Sequence, residues 1–137
     1  VIRLKETGLG WTAFTVDDSG GAAKTIVNDV RSLEIATPRA VFDVTGMDKS
    51  AFERLLGLAD CTVNPTGVFN DAADFSHAVF KTVSSTSVAR TTTMTVSGQT
   101  LAPEILYTDY ALTRSDAGEL TWTAPGVLAN GVVPTWS

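Results

Sequence analysis

The side chains able to do chemistry are few and scattered. The 137-residue chain holds one histidine, His77, and one cysteine, Cys61. A zinc site draws on several His or Cys ligands, and one of each does not supply it. A nucleophilic triad would need the fold to bring Asp and Ser or Cys partners to His77. The plainer reading places His77 inside a helix as a satisfied or solvent-facing side chain. Asp17 and Asp18 are adjacent carboxylates that could bind a cation, but Asp17-Asp18-Ser19-Gly20-Gly21 reads as a turn. Asp43, Asp48 and Asp60 fit caps and loops. Trp11, Trp122 and Trp136 could stack on a sugar or a base, yet core or interface packing is their ordinary use. Asn64 precedes Pro65, which blocks the glycosylation signal. Cys61 leaves no disulfide framework within the chain and reads as a small core residue. No Walker loop or dinucleotide glycine motif occurs. No catalytic, cofactor-binding or metal-ligating residue is therefore assigned, no cofactor is expected, and the chain reads as non-enzymatic.

The bulk properties point the same way. The length suits one domain with one core. Apolar residues make up 44% and charged residues only 18%, against the usual charged share of about 25%. Such a surface relies on Ser, Thr, Asn and Gly, and it suits a chain partly covered by neighbours. The net charge is −5, with no run of Lys or Arg, so tight nucleic-acid binding is not expected. No stretch approaches eighteen apolar residues, so no membrane span is expected. Arg3 near the start is followed by no long apolar run, so no signal peptide is expected.

The elements that would position these residues are mainly strands. Residues 1–10 read as an arm or short edge strand. Trp11 to Val16 is rich in aromatic and β-branched residues and predicts a strand. A strand is expected near 31–37, ended by Pro38. Residues 39–46 read as a strand or an extended loop. A helix is expected over 49–58, where Phe52, Leu55, Leu56 and Ala59 recur at helical spacing. Its cap is Asp48, with a Met47–Phe52 staple, or Thr45, with Asp48 completing a capping box. Either way, Leu55 and Leu56 are not both expected to face solvent. Residues 60–69 read as a small hairpin turning at Asn64-Pro65-Thr66-Gly67. A second helix follows, capped by Asp71, with Phe75, Ala78 and Val79 on one face. Strands are expected over 87–97, 104–113 and 118–124, with turns at 97–99 and 114–118. The Thr-rich face of 91–97 is at most half buried. Residues 125–137 read as an apolar C-terminal arm. The expected fold class is mainly β: an antiparallel sandwich or barrel with one or two short flanking α-helices, as a single domain over 1–137.

One resemblance adds to this. Residues 42–136, about two thirds of the chain, carry Asp43-Val-Thr-Gly-Met-Asp48, Ser50-Ala-Phe-Glu-Arg-Leu-Leu56 and Thr66-Gly-Val-Phe-Asn-Asp71, then Ser76-His77. They continue with Tyr107-Thr-Asp-Tyr-Ala-Leu112, Gly118-Glu-Leu-Thr-Trp122 and Gly131-Val-Val-Pro-Thr-Trp136. In that order these segments resemble the tail tube proteins of long-tailed (siphovirus-like) phages, especially those infecting actinobacteria. The first thirty residues match less well. The resemblance implies a β-sandwich or barrel with a flanking helix. It also implies hexameric rings stacked around a DNA channel, sheets joined between subunits, and a long loop and terminal arms reaching adjacent rings. The implied partners are further copies of the chain, tape measure, terminator and tail tip proteins, and DNA passing without specific binding. The implied place is the virion tail, after synthesis in the host cytoplasm. Rival readings are a tail terminator, a contractile injection-system inner tube protein and a monomeric β-sandwich binding module.

Overall fold

Hydroxylic and β-branched residues dominate the periodic segments, and most of the chain is extended accordingly. The computed structural model describes Lys5 and residues 7–137. Its first strands are β1 (Trp11–Asp17), β2 (Ala23–Thr25), β3 (Val30–Ala36), β4 (Arg39–Asp43), β5 (Arg54–Ala59) and β6 (Thr62–Val68). The short helix α1 (Ser76–Phe80) follows. Then come β7 (Arg90–Val96), β8 (Gln99–Leu101), β9 (Glu104–Tyr107), β10 (Ala111–Arg114), β11 (Leu120–Thr123) and β12 (Gly126–Leu128). Every strand pair is antiparallel. This is the mainly β antiparallel class expected from the sequence. No helix is long and apolar enough to cross a membrane among the described residues.

Ten strands form one curled sheet in the order β10-β11-β6-β12-β9-β7-β1-β2, with β3 on β6 and β8 on β7. The curl encloses a core of Phe14, Val16, Val63, Met94, Ile105 and Trp122, closed by Val79 and Phe80 of α1. The Phe80 ring lies 5.1 Å from both Tyr107 and Trp122. The expected turns at 17–21, 97–99 and 114–118 are present. Gly21, Gly98 and Gly118 take positive φ there, at little steric cost to glycine.

Several expected elements differ. Residues 49–58 are not a helix: Arg54–Ala59 is β5, paired with β4. The registers explain why. Ala36 faces Thr62, Arg39 faces Ala59, and Asp60 N donates to Pro38 O at 2.8 Å between them. The β3–β6 pair thus runs on into β4–β5 as one ribbon, and this long-range pairing overrides helical propensity. Gly57, which resembled a helix end, lies under the Phe42 ring, where a Cβ would come within 2.4 Å. Leu55 and Leu56 are 59% and 58% exposed, so the expectation that at least one is covered fails for the isolated chain.

Asn64-Pro65-Thr66-Gly67 is not a turn but the middle of β6. On one side β6 meets β12 at residues 62–63 and β11 at 66–68, so Pro65 falls where the partner strand changes. A residue without an N–H fits that gap. Gly67 is required because a Cβ would sit 2.0 Å from Asp29 O and 2.8 Å from the Trp122 ring. The second helix starts at Ser76, later than an Asp71 cap implies. Its first N–H is taken by a distant carboxylate, Asp29 Oδ2, at 3.1 Å. The segment 104–113 is broken between Tyr107 and Ala111, where Tyr110 turns toward Phe80, 5.7 Å away between rings. Residues 126–128 form β12 within the sheet, and Ser137 exchanges two backbone bonds with Thr100. Residues 1–4 and 6 of the expected N-terminal arm lie outside the described residues.

Candidate functional site: exposed edges and an apolar ribbon

Most of the residues singled out for chemistry make hydrogen bonds or packing contacts within the fold. His77 Nδ1 lies 3.2 Å from the Tyr110 hydroxyl, and its ring packs 4.8 Å from Phe69. Burial pushes the Tyr110 phenol up to about 12. Cys61 is fully buried, and desolvation, then the neighbouring Asp60, raise its thiol. Asp18 Oδ1 accepts from Gly20 N and Ala22 N at 2.9 Å, and the Ala22 bond leads in holding its carboxyl below the usual range. Asp60 Oδ1 accepts from Cys61 N at 2.8 Å. Trp122 is buried and donates Nε1–H to Val68 O at 2.9 Å, while Trp136 is partly exposed. Among the described residues, no three His, Cys, Asp or Glu side chains cluster as metal ligands.

What the fold leaves open is backbone and apolar surface. Strands β10, β11, β6 and β3 form four consecutive antiparallel strands. Strand β10 pairs only with β11, and β3 only with β6, among the described residues. Their outer edges face opposite ways and present unpaired N–H and C=O groups, which template further pairing. The outward face of this layer carries Ser32, Asn64, Thr66, Thr113, Thr121 and Thr123, with Glu34 its charged strand residue. Trp122, Val63 and Pro65 alternate to the buried side.

Beyond the body, the β4–β5 end of the ribbon stands with both faces uncovered. Phe42 and Leu55 face each other on one side, Val41 and Leu56 on the other. All four are exposed, Leu58 is 90% exposed, and Met47 and Phe52 stand at the tip. The tip is built rather than loose. Asp43 Oδ1 accepts from Thr45 Oγ1 at 2.6 Å and Thr45 N at 3.0 Å, and Thr45 Oγ1 accepts from Glu53 N at 2.9 Å. The Thr45 hydroxyl leads in holding Asp43 below the usual carboxylate range. The Arg54 guanidinium lies 4.8 Å above the Phe52 ring. Contiguous apolar surface of this kind marks an interaction site. A helical reading of these residues missed it. The usable signal was apolar side chains at both parities of 54–59, the pattern of a strand covered on both faces.

No protein-family model matches the sequence, and no curated protein does. Solved structures share the fold. A chain from the virion of a native gene transfer agent particle superposes with a TM-score of 0.70 at 15% identity, over 97% of this chain and 99% of that one. A chain from the tail of an empty gene transfer agent particle, solved with helical refinement and C6 symmetry, gives 0.72 at 18% identity, over 97% and 98%.

Proposed function

We propose that this chain is a structural subunit of a phage-like tail, closing into rings that stack as a hollow tube for DNA. One observation carries the reading: a four-stranded antiparallel layer whose two outer strands, β3 and β10, lack partners on opposite sides among the described residues. Pairing β10 of one copy with β3 of the next is a heterologous contact, and such contacts close into rings when the rotation permits. Closure removes the edges that a monomer leaves in water. The fold shared with a C6-symmetric tail supports six copies, hence twenty-four strands. At about 4.8 Å per strand, that wall has a backbone diameter of about 37 Å before strand tilt widens it. Its lumen would be the hydroxylic face of Ser32, Asn64, Thr66, Thr121 and Thr123. That face offers no Lys or Arg in these positions to hold a passing polyanion.

The ribbon end supplies the second direction. It extends along β3 beyond the ring body, so its two apolar faces are placed to enter the adjacent ring. On this reading the chain is the single tube domain over 1–137, with 1–10 as an arm, while the expected C-terminal arm 125–137 is packed on the body through β12 and the Ser137–Thr100 pair. It resides in the virion tail of a siphovirus-like particle, and its other partners are tape measure, terminator and tail tip proteins. It has no catalytic role. A terminator would form one ring and stop, and a binding module would stay monomeric.

Proline substitution on β10 tests ring closure. Adjacent N–H groups point to opposite edges, so of Leu112→Pro and Thr113→Pro one removes an outward donor and the other an inward one. The outward variant is expected to keep its circular dichroism spectrum and lose rings in electron micrographs. Intact rings in both folded variants would contradict β3–β10 closure.

A further inference from the structure

The ribbon end needs an acceptor, and the same chain carries a groove of matching character at the far end of β3. This open cavity of about 420 Å³ is lined by Trp11, Phe14, Val27, Val30 and Leu33, with Leu9 at its rim. Trp11, Val27, Val30 and Leu33 are only half buried, so apolar side chains stay open in it among the described residues, beside the polar Arg31 and Ser32. We infer that this groove receives the apolar ribbon end, residues 41–58, of a second copy in the next ring; the inference rests on the stacking in the tube reading above.

Three features select that occupant. The first is polarity. The groove borders Val30–Leu33 at the start of β3, while the ribbon leaves the body past its end at Ala36. Register is continuous from Ala36↔Thr62 to Arg39↔Ala59, so knob and groove lie at opposite ends of one ribbon. A translation along that ribbon brings one copy's end to the next copy's groove and repeats without limit, a head-to-tail contact. The second is chemistry. The ribbon end presents Phe42, Met47, Phe52, Leu55, Leu56 and Leu58, and the groove offers aromatic and branched aliphatic walls. The third is charge. Across residues 41–58 the end carries Asp43, Asp48 and Glu53 against Lys49 and Arg54, a net charge of −1, with the Arg54 guanidinium lying over the Phe52 ring. The charged side chain lining the groove is Arg31, largely exposed and, among the described residues, ion-paired with Glu119 at 3.7 Å. A basic rim meeting an acidic tip fixes orientation as the apolar faces bury.

The test uses surface variants that leave the core alone. Leu9 is 93% exposed and Arg31 is exposed, so Leu9→Asp and Arg31→Glu are expected to fold normally. Stacking is followed by light scattering and electron microscopy of the full chain against rising concentration. Both variants are expected to form rings and to raise the concentration needed for tubes by about tenfold or more, as 1.4 kcal/mol per contact gives. Combining Arg31→Glu with Glu53→Lys is expected to restore much of the loss. Tubes from both variants at the wild-type concentration would overturn the inference while leaving the tube reading intact. So would a map showing the groove filled by the chain's own residues before Thr7 or by another protein. Wild-type protein that makes rings but no tubes would overturn stacking and, with it, this acceptor.

Discussion

Arg90 takes a guanidinium into the core and spends it on oxygen atoms of three segments. It donates to Val79 O at 2.7 Å, to Asp17 O at 3.1 Å and to Thr82 Oγ1 at 3.0 Å. It thereby ties the end of β1, the end of α1 and the turn after it to β7. Desolvation lowers its pKa, which the neighbouring Tyr107, Asp18 and Asp17 oppose. Arg90→Ala leaves these buried acceptors unpaired, and a loss of about 2–4 kcal/mol is expected in denaturant unfolding. A change under about 0.5 kcal/mol would show that water replaces the guanidinium freely. The buried phenols give a second test. Burial pushes Tyr110 up to about 12 and Tyr107 higher still, against about 10 in an unfolded chain. An acid harder to ionise when folded contributes stability that is whole below pH 10 and lost as pH climbs through 12. Stability measured across that range is expected to fall, with tyrosinate absorbance rising alongside unfolding. Normal tyrosinate formation at pH 10 in a folded protein would contradict the burial.

At the scale of elements, the ribbon separates what local sequence reveals from what it hides. Strands β1, β3, β7 and β11 follow from alternation and β-branched content, and the turns follow from the Asp17-Asp-Ser-Gly-Gly21, Ser97-Gly98 and Ser115-Asp-Ala-Gly118 runs. Residues 49–58 look helical to local patterning because Phe52, Leu55 and Leu56 also match a helical stripe. Only the register inherited from Ala36↔Thr62 decides otherwise, and it depends on pairing across 26 residues of chain. The same limit hides the open sheet edges, since whether a strand has a partner is a property of the whole sheet. Local chemistry did indicate that Cys61 is a small core residue and that Asp18 and Asp43 accept hydrogen bonds in turns. Because Leu55 is exposed, Leu55→Ala is expected to change monomer stability by less than about 0.5 kcal/mol while weakening assembly. A large monomer loss with unchanged assembly would reverse that assignment. The tip clasp adds a pH dependence. Asp43 has a lowered folded pKa, so its contribution is present above the unfolded carboxylate range and lost as pH falls through the folded value. The protection of the Thr45 and Glu53 amides, relative to their intrinsic exchange rates at each pH, is expected to fall in acid, and Asp43→Asn to abolish that dependence.

For the whole molecule, low charge, hydroxylic sheet faces and an apolar ribbon end fit the proposed tube, in which other copies finish the surface. If the hydroxylic face lines its lumen, cations placed there should hold DNA. Lysines at Thr66, Thr121 and Thr123 are expected to leave tubes intact and to slow DNA release from particles, more strongly at low salt. Unchanged release would place these residues off the channel wall. The most direct measurement is a helical reconstruction of the protein assembled at high concentration. The account predicts a hollow tube of six-fold rings, its inner wall made by β3 of each subunit hydrogen-bonded to β10 of the next. A chain that stays monomeric at every concentration, or a tube in which β3 and β10 both remain unpaired, would contradict it.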